Sequence, residues 1–147
     1  MEVSARRGAA AMVICVVVVF DAVTLLLFAL LHLGAQIPVG LGVIATDRIV
    51  PATIVEGLAG IGFVVSAYAV FARRTWAWPA AVAAHLFALA SVLLGMWAIA
   101  AGFGPHNLLN DTYHRLMLVV LAAGLILLWT HGARAALGRG KRAALGQ

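Results

Sequence analysis

The chain has 147 residues, of which 65% are hydrophobic and only 10% charged. A soluble domain of this size is nearer half apolar and a quarter charged, so the composition excludes that class and points to a membrane protein. The formal net charge of +5 sits in short loops and tails rather than on a basic face, which argues against nucleic-acid binding. The single cysteine, Cys15, can form neither an internal disulfide nor a CxxC redox pair.

Four apolar runs, 9–33, 49–72, 76–101 and 112–130, are each long enough to cross a hydrocarbon core that needs about 20 residues of helix. No run alternates with period two, so barrel strands are excluded, and in lipid the backbone must then close its hydrogen bonds within helices. The predicted fold is all-α: an antiparallel bundle of four transmembrane helices forming one domain over residues 1–147. The first run follows Arg6 and Arg7. It outlasts a signal-peptide core, so it is expected to remain as an uncleaved span. The segment 34–48 holds Pro38, Gly40 and Gly42, which break regular structure, yet it is apolar enough to lie on the membrane surface or over the bundle mouth.

The second run starts near Ile49, with Pro51 in its first turn, a position that needs no N–H. Its small residues include Gly57, Gly60, Gly62 and Ser66, and the small-xxx-small relation of Gly62 to Ser66 suits close helix packing. Only Arg73, Arg74 and Thr75 separate it from the third run, so the two must be antiparallel neighbours. The third run stops at Gly102-Phe103-Gly104-Pro105, a strong terminator. Asn110 or Asp111 is positioned to cap the fourth. A basic, glycine-punctuated tail follows His131.

Arg6, Arg7, Arg73, Arg74, Arg134, Arg139, Lys141 and Arg142 all fall on one side of these spans, and only Arg48 and Arg115 on the other. The positive-inside rule then predicts cytoplasmic N and C termini in a multi-pass protein of the cell's inner membrane. Trp76, Trp78, Trp129 and Tyr68 would mark the inner interface, and Trp97 and Tyr113 the outer one.

Ionisable residues inside spans are costly and are functional candidates by default. Asp21, Glu56 and His85 are the three that lie well inside the spans. Eleven residues nearly complete three helical turns, so Asp21 and His32 share a stripe. Asp21 and His85 come out at similar depth and can form a mutually stabilising buried pair. Toward the outer face lie His32, Glu56, His106, Asp111 and His114, with Asp111 and His114 on one helical edge. Asp21, Glu56, His85, His32, Asp111 and His114 are therefore the candidate ligand or proton-site residues. No nucleophile elbow, P-loop or dinucleotide fingerprint is present.

In size and outline the chain resembles the small multidrug transporters, whose first span carries one acid where Asp21 stands, and also the DoxX-like small membrane proteins. Neither resemblance has a motif that would transfer a residue's role. Three functions fit the pattern. One is an accessory, assembly or ligand-binding subunit, in the bilayer as a homo-oligomer or within a larger membrane complex. Another is a small oligomeric proton-coupled carrier using Asp21 and Glu56. The third is a membrane enzyme or redox protein with a metal or haem at the histidine and acid cluster, imidazole and carboxylate being ligands for several transition metals. The sequence leaves cofactor and substrate unknown.

Overall fold

The structure is a computed structural model that describes residues 2–138, with side chains from Gly8 onward. Arg6 and Arg7 fall outside the described side chains, and Arg139, Lys141 and Arg142 outside the described residues. Among those described, the elements are α1 (Glu2–Leu33), β1 (Ile37–Val39), β2 (Gly42–Ile44), α2 (Val50–Phe71), α3 (Ala77–Ala100), α4 (Leu108–Trp129) and α5 (His131–Leu137). Four helices are long and apolar enough to cross a membrane: Gly8–Leu33 within α1, then α2, α3 and α4. At about 1.5 Å per residue the 22 residues of α2 reach about 33 Å, a full hydrocarbon core.

The direction of each helix follows from what touches what. Along α1 and α2, His32 meets Glu56, while Gly60 packs against Leu26. Along α2 and α3, Phe63 meets His85 and Tyr68 meets Trp76. Along α3 and α4, Gly95 meets His114, and His85 meets Gly124. In every case one number rises as the other falls, so consecutive helices run antiparallel. The ring closes through α1, which touches α4 at Phe28 and Tyr113. The core between them holds Ile14, Val18, Leu25, Phe63, Val92, Met117 and Leu121, all at or below 4% exposure.

Three helices stop in the same way. Gly34 after α1 and Gly102 after α3 adopt left-handed φ values of 107° and 81°. Paired reverse bonds, Ala35 N–H to Leu30 O and Phe103 N–H to Ala98 O, complete each cap. After α2 the left-handed position is Arg73, at φ 50°, with Arg74 N–H bonded to Ala69 O. A non-glycine residue there is strained. It is held by the three-residue link that forces α3 back alongside α2.

Three expectations need correction. The 34–48 segment is more regular than its glycines imply. Ile37–Val39 pairs antiparallel with Gly42–Ile44 around Gly40 and Leu41, and Gly40, at φ 56°, supplies the positive φ that a two-residue hairpin turn needs. Ile49 N–H bonds to His32 O, so the segment leaves and re-enters the bundle at one point. The fourth helix starts at Leu108 rather than Thr112, because its cap is Asn107, whose side chain accepts from Asn110 N–H, and not Asn110 or Asp111. Tyr113 is no interface residue: it is 4% exposed and stacked on Phe28 at 3.5 Å between ring centres. The chain after His131 forms α5, capped by Thr130, with Arg134 over the ring of Trp129 at 4.6 Å and Trp78 Nε1–H donating to Leu128 O.

The small residues of α2 divide between two faces. Gly60 is the close approach, since a Cβ there would lie 2.6 Å from the Leu26 side chain. Gly62 and Ser66 instead line an open apolar groove between α2 and α3 with Ala80, Ala84 and Phe87, where the Ser66 hydroxyl donates to Gly62 O.

Candidate functional site

The bundle has two polar levels, one at mid-depth and one at the end that carries the β-hairpin. Ten residues separate His85 from Gly95 on α3, and ten separate His114 from Gly124 on α4. The two levels are therefore about 15 Å apart.

At the deep level Asp21 reaches across the bundle from α1 to His85 on α3. The Asp21 Oδ2 to His85 Nε2 distance is 3.4 Å, and both side chains are fully buried. That is an ion-pair distance without hydrogen-bond alignment: Asp21 Oδ1, Asp21 Oδ2 and His85 Nε2 have no hydrogen-bond partner. The other ring nitrogen is committed. His85 Nδ1 stands 2.8 Å from Ala81 O, and a carbonyl only accepts, so Nδ1 carries the hydrogen. This fixes the ring with Nε2 toward Asp21. Phe63 covers its face edge-on at 4.8 Å, and a Cβ on Gly124 would collide with Nε2.

At the hairpin end the order is reversed, with the histidine on α1 and the acid on α2. His32 Nδ1 and Glu56 Oε2 are 2.7 Å apart and buried, a short hydrogen-bond contact. His32 Nε2, on the far side of the ring, has no partner. The hydroxyl of buried Tyr113 stands beside Glu56 without meeting hydrogen-bond geometry.

His32 also lines a cavity of about 370 Å³ that opens at the hairpin ends of α2 and α3, a volume within the range of small-molecule sites. Asn110 and His114 from α4 share this wall. Asn110 is 1% exposed. Its Nδ2 donates to Pro105 O, while its Oδ1 is buried without a partner. His114 Nδ1–H donates to Asn110 O, which leaves Nε2 on the side of Gly95, where a Cβ would lie 2.6 Å away. The rest of the lining is apolar, including Val55, Leu94, Trp97, Ile99 and Phe103.

Four of the six residues singled out from sequence thus join as two pairs, Asp21 with His85 and His32 with Glu56. His114 joins the second level through the cavity. Asp111 does not pair with His114. Its Oδ2 lies 3.9 Å from Nδ1 of exposed His106, and these three residues with Arg115 border a shallower pocket of about 250 Å³. Among the described residues no three histidine, cysteine or acidic side chains converge as a metal-ligand set. His85 meets a carboxylate rather than a second imidazole.

Sequence reasoning missed Asn110, Tyr113, Gly95 and Gly124. A signal for the glycines was present. The spacing His-x9-Gly occurs once in α3 and once in α4, and pairing those helices antiparallel turns equal spacings into two reciprocal histidine–glycine contacts. Asn110 and Tyr113 had no such signal, because a polar residue at a span end reads equally well as a cap or an interface anchor. No protein-family model, no curated protein and no solved structure matches this chain.

Proposed function

We propose that this protein is a ligand-binding subunit of the cell's inner membrane, which takes an apolar small molecule into the cavity beside His32, Asn110 and His114. The observation that carries the reading is the largely apolar cavity of about 370 Å³, bordered by the polar residues His32, Asn110 and His114. The positive-inside distribution supports both termini on the cytoplasmic side, which turns the cavity to the outer leaflet. Access is lateral, past exposed Leu94 and Trp97. The open α2–α3 groove supports association with a second copy or with a larger membrane complex.

Extraction and mass spectrometry of the protein purified in mild detergent test the reading. A near-stoichiometric apolar molecule is expected with the wild type and not with Ala52→Trp, which fills the cavity from α2. Equal recovery from both proteins would overturn it.

The deep pair favours a second reading, a proton-coupled carrier. Because His85 Nδ1 gives its hydrogen to Ala81 O, the pair is electrically neutral only when Asp21 and Nε2 share one further proton. A net charge at that depth costs several kcal/mol. A carrier would alternate that proton with another load. Proteoliposome flux that survives Asp21→Asn and Glu56→Gln unchanged would remove this reading.

A further inference from the structure

We propose that Arg115 holds the phosphate of a phospholipid in the leaflet at the hairpin end, and that the pocket beside it takes a headgroup carrying an ammonium, as in a phosphoethanolamine lipid. The starting point is a charge on a lipid-facing surface. Arg115 lies within the span α4 (Leu108–Trp129). It is exposed, on the helix face that also presents Leu116, Val119 and Ile126, each more than 60% exposed. Its neighbour His114 stands level with Gly95 on α3, and α3 runs on to Ala100, so the Arg115 backbone lies about 7–8 Å below the end of α3. A cation on the lipid face at that depth is costly unless it reaches a polar partner. Among the described residues no acid stands within ion-pair distance of Arg115. Side chains on a helix lean toward its N-terminus, which for α4 is the hairpin end, so Arg115 extends its guanidinium toward headgroup level. There it borders the pocket of about 250 Å³ that His106, in the loop before α4, also borders.

Asp111 borders the same pocket, one helical turn nearer the hairpin end. An acid four residues before a base is the favoured order for an ion pair along a helix. Asp111 and Arg115 do not make it. Asp111 leans toward His106 instead, with Oδ2 3.9 Å from Nδ1, so the pocket has a cation and an anion on its rim that do not pair with each other. A guanidinium forks onto two oxygens of a phosphate, the group that phospholipids carry at this level of a membrane. Asp111, whose side chain is 33% exposed, can then accept from an ammonium N–H on the same headgroup. A phosphoglycerol headgroup satisfies Arg115 equally well but brings no cation, and leaves Asp111 facing a second negative charge. Met96, Ile99 and Ala100 supply the apolar part of the lining, which suits the glycerol and the first carbons of the acyl chains.

The test is native mass spectrometry of the full chain in detergent, titrated separately with phosphatidylethanolamine, with phosphatidylglycerol of identical acyl chains, and with glycerophosphoethanolamine, the same headgroup ester without acyl chains. Phosphatidylethanolamine is expected to bind about 3-fold more tightly than phosphatidylglycerol, the effect of one exposed ion pair. Arg115→Leu should weaken both lipids about 10-fold, as the loss of a hydrogen-bonded charge does, and Arg115→Gln serves the same purpose if Arg115→Leu does not fold. Asp111→Asn should bring the two lipids within about 1.5-fold of each other, since only the ion pair is removed. Equal lipid binding by the wild type and Arg115→Leu would overturn the site. Phosphatidylglycerol held as tightly as phosphatidylethanolamine by the wild type would overturn the ammonium headgroup. Glycerophosphoethanolamine held as tightly as the lipid would overturn the phospholipid and make the ligand a soluble phosphate ester.

Discussion

The two carboxylate–imidazole pairs use the same chemistry in different surroundings. At the hairpin end Glu56 and His32 align at 2.7 Å, and the Glu56 side chain keeps 9% exposure. At mid-depth Asp21 and His85 stand 3.4 Å apart with no exposure. The hairpin-end pair stands beside a cavity that His32 borders, so its side chains have room to find a hydrogen-bond geometry. The mid-depth one is walled by Phe63 and by the α4 backbone at Gly124, and cannot. A buried pair that is electrostatically matched but misaligned gains little from its partner and loses much without it. Burial, rather than residue type, decides which pair the fold depends on.

The largest effect should come from breaking the deep pair. His85→Ala leaves Asp21 without a counter-charge and should cost about 3–5 kcal/mol, the usual penalty for half of a buried pair. His32→Ala should cost less, about 1–3 kcal/mol, because Glu56 keeps a route to solvent and to Tyr113. Thermal unfolding in detergent, followed by the helical circular-dichroism signal, ranks the two, and the reverse order would mean that burial does not set the cost. Replacing both deep partners separates charge from packing. Asp21→Leu with His85→Phe should recover most of the loss of His85→Ala, since an apolar replacement of a buried pair is often neutral or stabilising. If the double variant is stable yet abolishes proton-coupled flux, the pair is retained for transport; if stable with ligand binding intact, it is a packing device.

The glycines give the next effect. Gly124→Ala drives a Cβ into His85 Nε2 inside a closed site, and overpacking of that kind costs about 1–3 kcal/mol. Gly95→Ala makes a similar demand on His114, but that ring is 8% exposed and has the cavity to move into. Its loss should be under half as large, with the main change in ligand binding. Equal losses in unfolding temperature would mean that the cavity gives His114 no freedom.

The four spans were legible because hydrophobic length needs no tertiary information. Their depth order was legible too: Asp21 and His85 could be matched from topology alone, since antiparallel helices of known length fix which residues share a level. The His32–Glu56 pair was legible only as two residues near one end, because azimuth around a helix does not say which neighbour a side chain will meet. Asp111 misled for a related reason. It lies three residues before His114, but His114 turns back to the Asn110 carbonyl one helical turn earlier, a local bond that an i to i+3 charge pairing does not displace. The hairpin was hidden because Gly40 and Gly42 signal a turn without stating that the flanking residues pair.

The smallest effects belong to the polar groups that only finish helix ends. Asn107 caps α4 through Asn110 N–H and reaches Asp47 at 3.2 Å, so it ties the segment after the hairpin to the cavity wall. Asn107→Ala should cost about 1 kcal/mol, as for other caps of this type. Asp111→Asn removes only the 3.9 Å approach to His106 and should change stability by less than about 0.5 kcal/mol, as surface ion pairs do. The two substitutions lie four residues apart on one helix end, which makes them a clean control for the cavity. Asn107→Ala frees the turn that carries Asn110, so binding of the apolar molecule should weaken about 2- to 5-fold, a loss comparable to that cap free energy. Asp111→Asn leaves Asn110 in place, and binding should hold. A loss of binding in Asp111→Asn equal to that in Asn107→Ala would shift the ligand from the His32 cavity to the shallower pocket beside His106.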